Sequence, residues 1–222
     1  MSYFTEDFIA FFSELAQNND KTWFEANKKR FEKSAKKPFE EFIGEMIARI
    51  HAVDPSVAIT PKESIFRIYK DVRFSKDKTP YKTHLGAVIS AGGRKDMSTP
   101  GMYLQLDAEH VRIYGGLYMP STQQVYQVRQ AIAGNLQHFD ALLNEKAFKE
   151  KYGAVSGEQH KRVPKEFEAA AEQQPILQNK QFYYFSKLPA QTMLDPKLPE
   201  IVMEHYFASK NMNAFLAKAI GK

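Results

Sequence analysis

The segment 102–114, MYLQLDAEHVRIY, decides the fold class of this 222-residue chain. It contains two short runs of β-rich composition, which is typical of β-strands. The runs, 102–106 and 111–114, are separated only by Asp107-Ala-Glu-His110, a connection short enough for a hairpin. Because strands joined so closely pair antiparallel, the segment predicts the centre of an antiparallel sheet.

Further strands are predicted on both sides of this hairpin. Residues 64–69 and 85–90 have β-rich composition, and residues 182–185, FYYF, are typical of an edge strand. The sheet is therefore expected to have about four to five strands.

Helical periodicity flanks the strands at both ends of the chain. Towards the amino terminus, three successive segments repeat apolar residues at steps of three and four, with Thr5 as the first N-cap and Pro38 closing the second helix and opening the third. Towards the carboxyl terminus, Ser121 or Thr122 can cap a helix, and residues 199–220 form an amphipathic one. The pattern predicts one α+β domain, residues 1–222, with a central mainly antiparallel sheet between N-terminal and C-terminal helices.

Composition excludes several classes of protein. Hydrophobic residues make up 43% and charged residues 26%, the balance of a globular protein with a buried core. Without Cys the chain has no disulfide, thiol nucleophile or thiolate metal site, which fits a reducing cytoplasm. No apolar stretch approaches the roughly 20 residues that span a bilayer, and no secretory signal opens the sequence. We expect a cytoplasmic protein that does not associate with membranes.

The segment 67–81, RIYKDVRFSKDKTPY, concentrates charge on the connection between two predicted strands. It holds five cationic and two acidic side chains. Arg offers a planar fork that suits a carboxylate or a phosphate, and Asp can hold that fork in place. We therefore predict a site for an anionic small molecule here. The candidate ligand-binding residues are Arg67, Lys70, Asp71, Arg73, Asp77, Lys78 and Tyr81.

The expected geometry is one positive pocket lined by Arg67, Arg73, Lys78 and Tyr81, with Asp71 orienting an Arg. Three further residues should support it. Phe74 is expected to point inward and anchor the loop, Asn27 to orient the motif from a helix, and His84 to lie at the start of the next strand as an acid/base or as a hydrogen-bonded structural residue.

Three alternatives to this site stay open. The charged segment can instead be a salt-bridge network that pins the connection to the sheet. The net charge of +5 and the cations interleaved with Phe74 and Tyr81 also suit nucleic acid. The domain can also be a structural or interaction unit with no ligand.

Residues 28–37 form the densest basic run, which we interpret as a solvated helix face.

Metal chemistry has a weaker basis in the sequence. Asp71, Asp77 and Lys78 suggest a metal-dependent nuclease, but their spacing matches no nuclease pattern, and Asp77-Lys-Thr-Pro is typical of a turn. The six His residues show no pair at metal-ligand spacing. We predict no metal site, and the sequence indicates no particular cofactor or reaction.

The motif also carries a resemblance. The spacing Arg67-x-x-Lys70-Asp71-x-Arg73-Phe74-x-x-Asp77-Lys78-x-x-Tyr81 resembles the signature of a bacterial and partly fungal family catalogued as a domain of unknown function, number twenty-four sixty-one. Three other segments resemble the same family, residues 15–28, 115–120 and 161–165. The resemblance implies an α+β domain and no established activity.

Overall fold

The sheet in the computed structural model, which describes residues 2–222, has four antiparallel strands. They are β1 (His84–Ile89), β2 (Gly101–Asp107), β3 (His110–Leu117) and β4 (Phe182–Pro189), and they lie side by side in chain order. The hairpin predicted between β2 and β3 is confirmed, with Leu106 opposite Val111. β4 lies at an edge, as predicted, and pairs with β3 from Phe182 to Pro189.

The predicted strand 64–69 is wrong. A single helical turn, α4 (Pro61–Ser64), precedes it, and the chain then meets the sheet only through a bridge between Ile65 and Ala87. From Ile68 onward the backbone pairs instead with residues 80–82. The backbone amide of Lys82 donates to the Ile68 carbonyl, and the backbone amide of Lys70 donates to the Pro80 carbonyl. The residues of β-rich composition therefore form a small local ladder and not a fifth strand of the sheet.

The amino-terminal helices are α1 (Glu6–Gln17), α2 (Lys21–Phe31) and α3 (Lys37–Val53). Pro38 does not close α2 as predicted, because a π-helical segment, Glu32–Lys36, joins α2 directly to α3. Pro38 lies in the first turn of α3, where a residue without an N–H is tolerated. The chain is therefore continuously helical from residue 21 to residue 53.

The carboxyl-terminal half adds a second group of helices. They are α5 (Thr122–Gly134), α6 (Leu136–Leu143), α7 (Lys146–Tyr152), α8 (Glu168–Gln173) and the long α9 (Leu198–Ala219). The predicted cap of α5 is confirmed, since Ser121 and Gln124 bond each other's backbone in a capping box. Over residues 2–222, no helix combines the length and the apolar composition needed to cross a membrane.

Helices pack against one face of the sheet. Alternate side chains of the central strands, including Leu104, Leu106, Val111 and Ile113, are fully buried in a core shared with α1 to α3. Burying side chains of this size gives about 1.5–3 kcal/mol each, which is what fixes the register of the strands. The intervening residues of β2 and β3 stay half-buried on the opposite face. The α+β class and the flanking helices are as the sequence predicted.

Candidate functional site

The charged motif is a loop carried on a short ladder. Tyr69 and Tyr81 form an antiparallel bridge, and residues 71–79 project beyond it. The ladder is fixed to the connection between α1 and α2, because the Tyr81 backbone exchanges two hydrogen bonds with the Asn19 side chain, at 2.9 and 3.1 Å. The base of the loop is thus rigid, while its tip is exposed to solvent.

Inside the loop, the charged groups satisfy one another. Asp71 holds the Arg73 fork through two bonds of 2.9 and 2.7 Å, as the sequence predicted for an Arg. Lys70 bonds Asp77 at 2.8 Å, and Lys78 donates to the Val72 carbonyl at 2.9 Å. These contacts join groups of the loop to one another, and none of them reaches a strand of the sheet.

Both acids of the loop are held ionised by these contacts. The hydrogen bond from Arg73 lowers the pKa of Asp71 below its usual value. Hydrogen bonds from Lys70 and then Thr79 lower the pKa of Asp77 further below its usual range. Arg73 and Lys70 therefore have ionised carboxylate partners, which reduces their availability to a ligand.

The two rings of the motif are placed opposite to expectation. Phe74, predicted to point inward, is 95% exposed, with the Arg73 guanidinium 5.9 Å from its ring centroid. Tyr81, predicted to line a pocket, is 2% exposed and stacks on Phe24 with ring centroids 4.0 Å apart. Tyr81 anchors the loop because it belongs to the ladder and its ring is buried in the core, whereas Phe74 lies at the projecting tip.

Arg67 is the motif cation that opens onto a large cavity. It lines a groove of about 890 Å³ between α2, α3 and the segment 61–69. Arg73, Lys78 and Tyr81 do not line this groove. The four residues expected in one pocket are therefore separated, with Arg67 on the groove, Arg73 and Lys78 on the loop, and Tyr81 in the core.

The groove is strongly positive. Its cationic side chains are Lys28, Lys36, Lys62, Arg67, Arg94 and Lys95, and its acids are Glu32 and Glu40. Glu32 is already bonded to Lys36 at 2.9 Å. Across residues 2–222, Lys62, Arg67 and Lys95 have no carboxylate within salt-bridge distance. We call this surface the basic groove.

Sequence reasoning missed most of the basic groove. Lys28 and Lys36 belong to the run interpreted as a solvated helix face, and they do lie on such a face, but that face borders a cavity. Lys62, Arg94 and Lys95 come from two further segments that meet only in the folded chain. The local sequence offers no signal for this convergence except the overall basic charge.

The supporting residues take structural positions. Asn27 is half-buried, and its amide donates to the Trp23 carbonyl at 3.0 Å, one turn earlier in α2. His84 lies opposite Asp107 at the start of β1, on the sheet face away from the helices. Within the described chain, no three His, Asp or Glu residues come together as ligands for a metal ion.

His84 should make stability depend on pH. Burial, and then the charge of Lys82, lower the pKa of its imidazole to about 4, while Asp107 opposes the shift. The unfolded chain takes up a proton on this residue near pH 6.5 and the folded chain only near pH 4, so stability falls as the pH is lowered through that window. We expect a loss of about 2–3 kcal/mol from this residue between pH 7 and pH 4.5.

Urea denaturation of the wild type and of His84→Gln at both pH values measures this contribution. The variant should lose less stability than the wild type on acidification, by the amount given above. The exposed His138→Gln is the control and should behave like the wild type. Equal pH dependence in the wild type and both variants would show that the folded protein does not disfavour protonation of His84.

Comparison with known proteins confirms the resemblance to the family of unknown function over nearly the whole chain. A family model described as Conserved hypothetical protein (DUF2461) matches residues 7–215. No curated protein matches the chain.

Proposed function

Because the chain belongs to this family of conserved hypothetical proteins, whose description carries no activity, we propose a function from geometry: the protein binds an anionic small molecule in the basic groove. The observation that supports it is Arg67, a cation without a carboxylate partner among residues 2–222, on the wall of a cavity of about 890 Å³. The ligand class is a molecule that bears a phosphate or carboxylate group. The absence of Cys supports a cytoplasmic location.

Charge favours an anion over a neutral ligand. Six cationic side chains face two carboxylates, a formal excess of four positive charges along the groove. Arg67 can contact an anion through two parallel N–H groups, and Lys62 and Lys95 can add point charges. Arg94 is already oriented, since its guanidinium donates to the Lys62 and Ile65 carbonyls.

The shape of the groove supports a small organic molecule. Its volume falls in the range of about 300–1,000 Å³ that is usual for ligand cavities. Apolar side chains from α2, α3 and β1, including Phe24, Phe39 and Leu85, contribute to its lining beside the cations. The apolar part can cover the carbon skeleton of a ligand, while the cations fix its charged group.

Substitution of Arg67 tests the proposal. Isothermal titration with inorganic pyrophosphate and with succinate, followed by phosphorylated and carboxylated metabolites, should identify a ligand of the wild-type protein. Arg67→Gln should weaken that binding by about 10–100-fold, because hydrogen bonds between charged groups contribute about 1.5–3 kcal/mol. Both proteins should show the same circular dichroism, since Arg67 is exposed.

Arg73→Gln is the matched control. It removes a guanidinium from the same motif, but one that is 76% exposed and already bonded to Asp71. We expect ligand binding to be unchanged in this variant. If Arg73→Gln weakens binding and Arg67→Gln does not, the ligand contacts the loop rather than the groove. If no such anion binds the wild type, the proposal is wrong.

A further inference from the structure

The sheet face that points away from the helices carries a row of aromatic rings. Tyr103, Tyr114 and Phe185 lie directly opposite one another on β2, β3 and β4. Phe66 extends the row beyond Tyr103 at the β1 side. Successive ring centroids are 6.1, 5.6 and 5.4 Å apart. We call this surface the open face.

These rings remain accessible. Phe185 is 41% exposed, and Phe66, Tyr103 and Tyr114 are half-buried. A large apolar ring at such exposure on an edge strand favours self-association, so a folded protein keeps it at a cost. The alternation that buries Leu104 and Ile113 assigns Tyr103 and Tyr114 to the other face of the sheet, whereas their alignment with Phe66 and Phe185 depends on how the strands pair.

A cavity adjoins the row. It has a volume of about 460 Å³, and its walls include Phe66, Tyr103, Tyr114, Tyr118 and Tyr183. Five rings around a cavity of this size offer flat apolar surfaces on several sides. Such surfaces suit planar ring systems, which gain dispersion and quadrupole interactions by stacking.

Three cationic side chains lie beside the rings. The Nζ of Lys82 lies 5.2 Å from the Phe66 ring centroid. Arg112 and Lys187 lie opposite each other two residues along from Tyr114 and Phe185, as the next pair on the same face of the sheet. Asp107 is the acid of this surface, and it is already paired with Arg112. Among residues 2–222, Lys187 has no carboxylate within salt-bridge distance.

We propose that the open face binds single-stranded nucleic acid, with bases stacked on the aromatic row and phosphates attracted to the flanking cations. Stacking on aromatic side chains beside a positive surface is how proteins hold single strands with little sequence preference. Four-stranded sheets with exposed aromatic residues do so in RNA-binding modules. This function goes beyond the basic groove and does not depend on it.

The observations favour this ligand over two others. The base of a mononucleotide stacks on one or two rings, whereas this row of four rings extends across the sheet from Phe66 to Phe185. A neutral sugar would also stack on aromatic rings, but it carries no negative charge for Lys82 and Lys187 to attract. The net charge of +5 points the same way.

Fluorescence anisotropy with labelled oligomers of thymidine and of uridine, each twelve nucleotides long, tests the proposal. Phe185→Leu and Tyr114→Leu keep apolar side chains but remove flat rings, and each should weaken binding at least about fivefold, since stacking contributes about 1–3 kcal/mol per base. Phe207→Leu is the control, because Phe207 is a 50% exposed ring on α9, and should bind like the wild type. Phe185 is exposed enough for its variant to fold even if Tyr114→Leu does not.

Several outcomes would overturn the proposal. The first is that the wild type binds no oligonucleotide, and the second is that Phe185→Leu and Phe207→Leu weaken oligonucleotide binding equally. The third is that inorganic polyphosphate binds as tightly as the oligonucleotides, which would show that charge alone accounts for the binding. Binding of a neutral oligosaccharide that is lost in Phe185→Leu would assign the face to sugars. If gel filtration shows a dimer of the wild type that Phe185→Leu abolishes while oligonucleotide binding is unchanged, the face belongs to a second copy of the chain. Binding of pyrophosphate in the basic groove should be unaffected by Phe185→Leu, so either proposal can fail while the other stands.

Discussion

Replacing Tyr81 with alanine should lower the free energy of unfolding by about 3–5 kcal/mol, the usual range for removing a buried aromatic ring. The ring is 2% exposed and stacks on Phe24 with an angle of 15° between the planes. Burial also raises the pKa of its hydroxyl, so the phenol stays neutral at physiological pH. The substitution would leave a cavity between α2 and the base of the charged loop, and it would remove the anchor of that loop.

Urea denaturation followed by the fluorescence of Trp23, the single tryptophan, measures the effect. Phe74→Ala is the matched control, since it removes an aromatic ring of the same motif that is 95% exposed. The control should change stability by no more than about 0.5 kcal/mol. Similar losses in the two variants would mean that Phe74, and not only Tyr81, packs against the protein as the sequence had suggested.

Gly116→Ala should destabilise the protein by about 3–5 kcal/mol or prevent folding, for two reasons that add. The residue has a φ of +87°, which L-amino acids with a Cβ adopt at a cost. A Cβ there would also lie 2.2 Å from the Phe182 carbonyl oxygen, so β3 and β4 would have to separate. That separation would also strain the bond of 3.0 Å between the Gly116 amide and Asn213 of α9.

Gly153→Ala separates these two causes. Gly153 has a φ of +74°, but a Cβ there would meet nothing within 4 Å. This variant should lose only the conformational part, about 1–2 kcal/mol. Thermal and urea unfolding of both variants give the comparison. Equal losses would show that backbone conformation, and not the close approach of β4, makes glycine necessary at position 116.

The fold class followed from local patterns. The β-rich runs 102–106 and 111–114, with a short connection between them, predicted the β2–β3 hairpin, and it is confirmed. The cap of α5 was also predicted, with Ser121 or Thr122 as candidates, and Ser121 fills that position because its side chain and that of Gln124 act within four residues. The strand expected at 64–69 failed because pairing depends on a distant partner: Ile65 meets Ala87 once, and the chain then turns to its own ladder.

The motif shows the same division between local and distant contacts. The bidentate pair of Asp71 and Arg73 lies two residues apart, so the sequence could predict it. Which of the two rings would be buried was not predictable, since Phe74 and Tyr81 are both apolar and close in sequence. Tyr81 is buried because it contacts Phe24 and Asn19. Both partners are distant from it in sequence, with Phe24 in α2 and Asn19 just before it.

By itself, the sequence determined the α+β class, the cap at the start of α5, the central hairpin, the basic charge and the contact of Asp71 with an Arg of the charged loop. These features rest on interactions among residues near one another in the chain, which composition and periodicity record. The tertiary structure alone decided that Arg67 would join Lys36 and Lys95 around one groove, and that four rings from separate segments would form one row. Such surfaces arise when helices and strands pack to bury a shared core, because that packing fixes the positions of side chains that take no part in it.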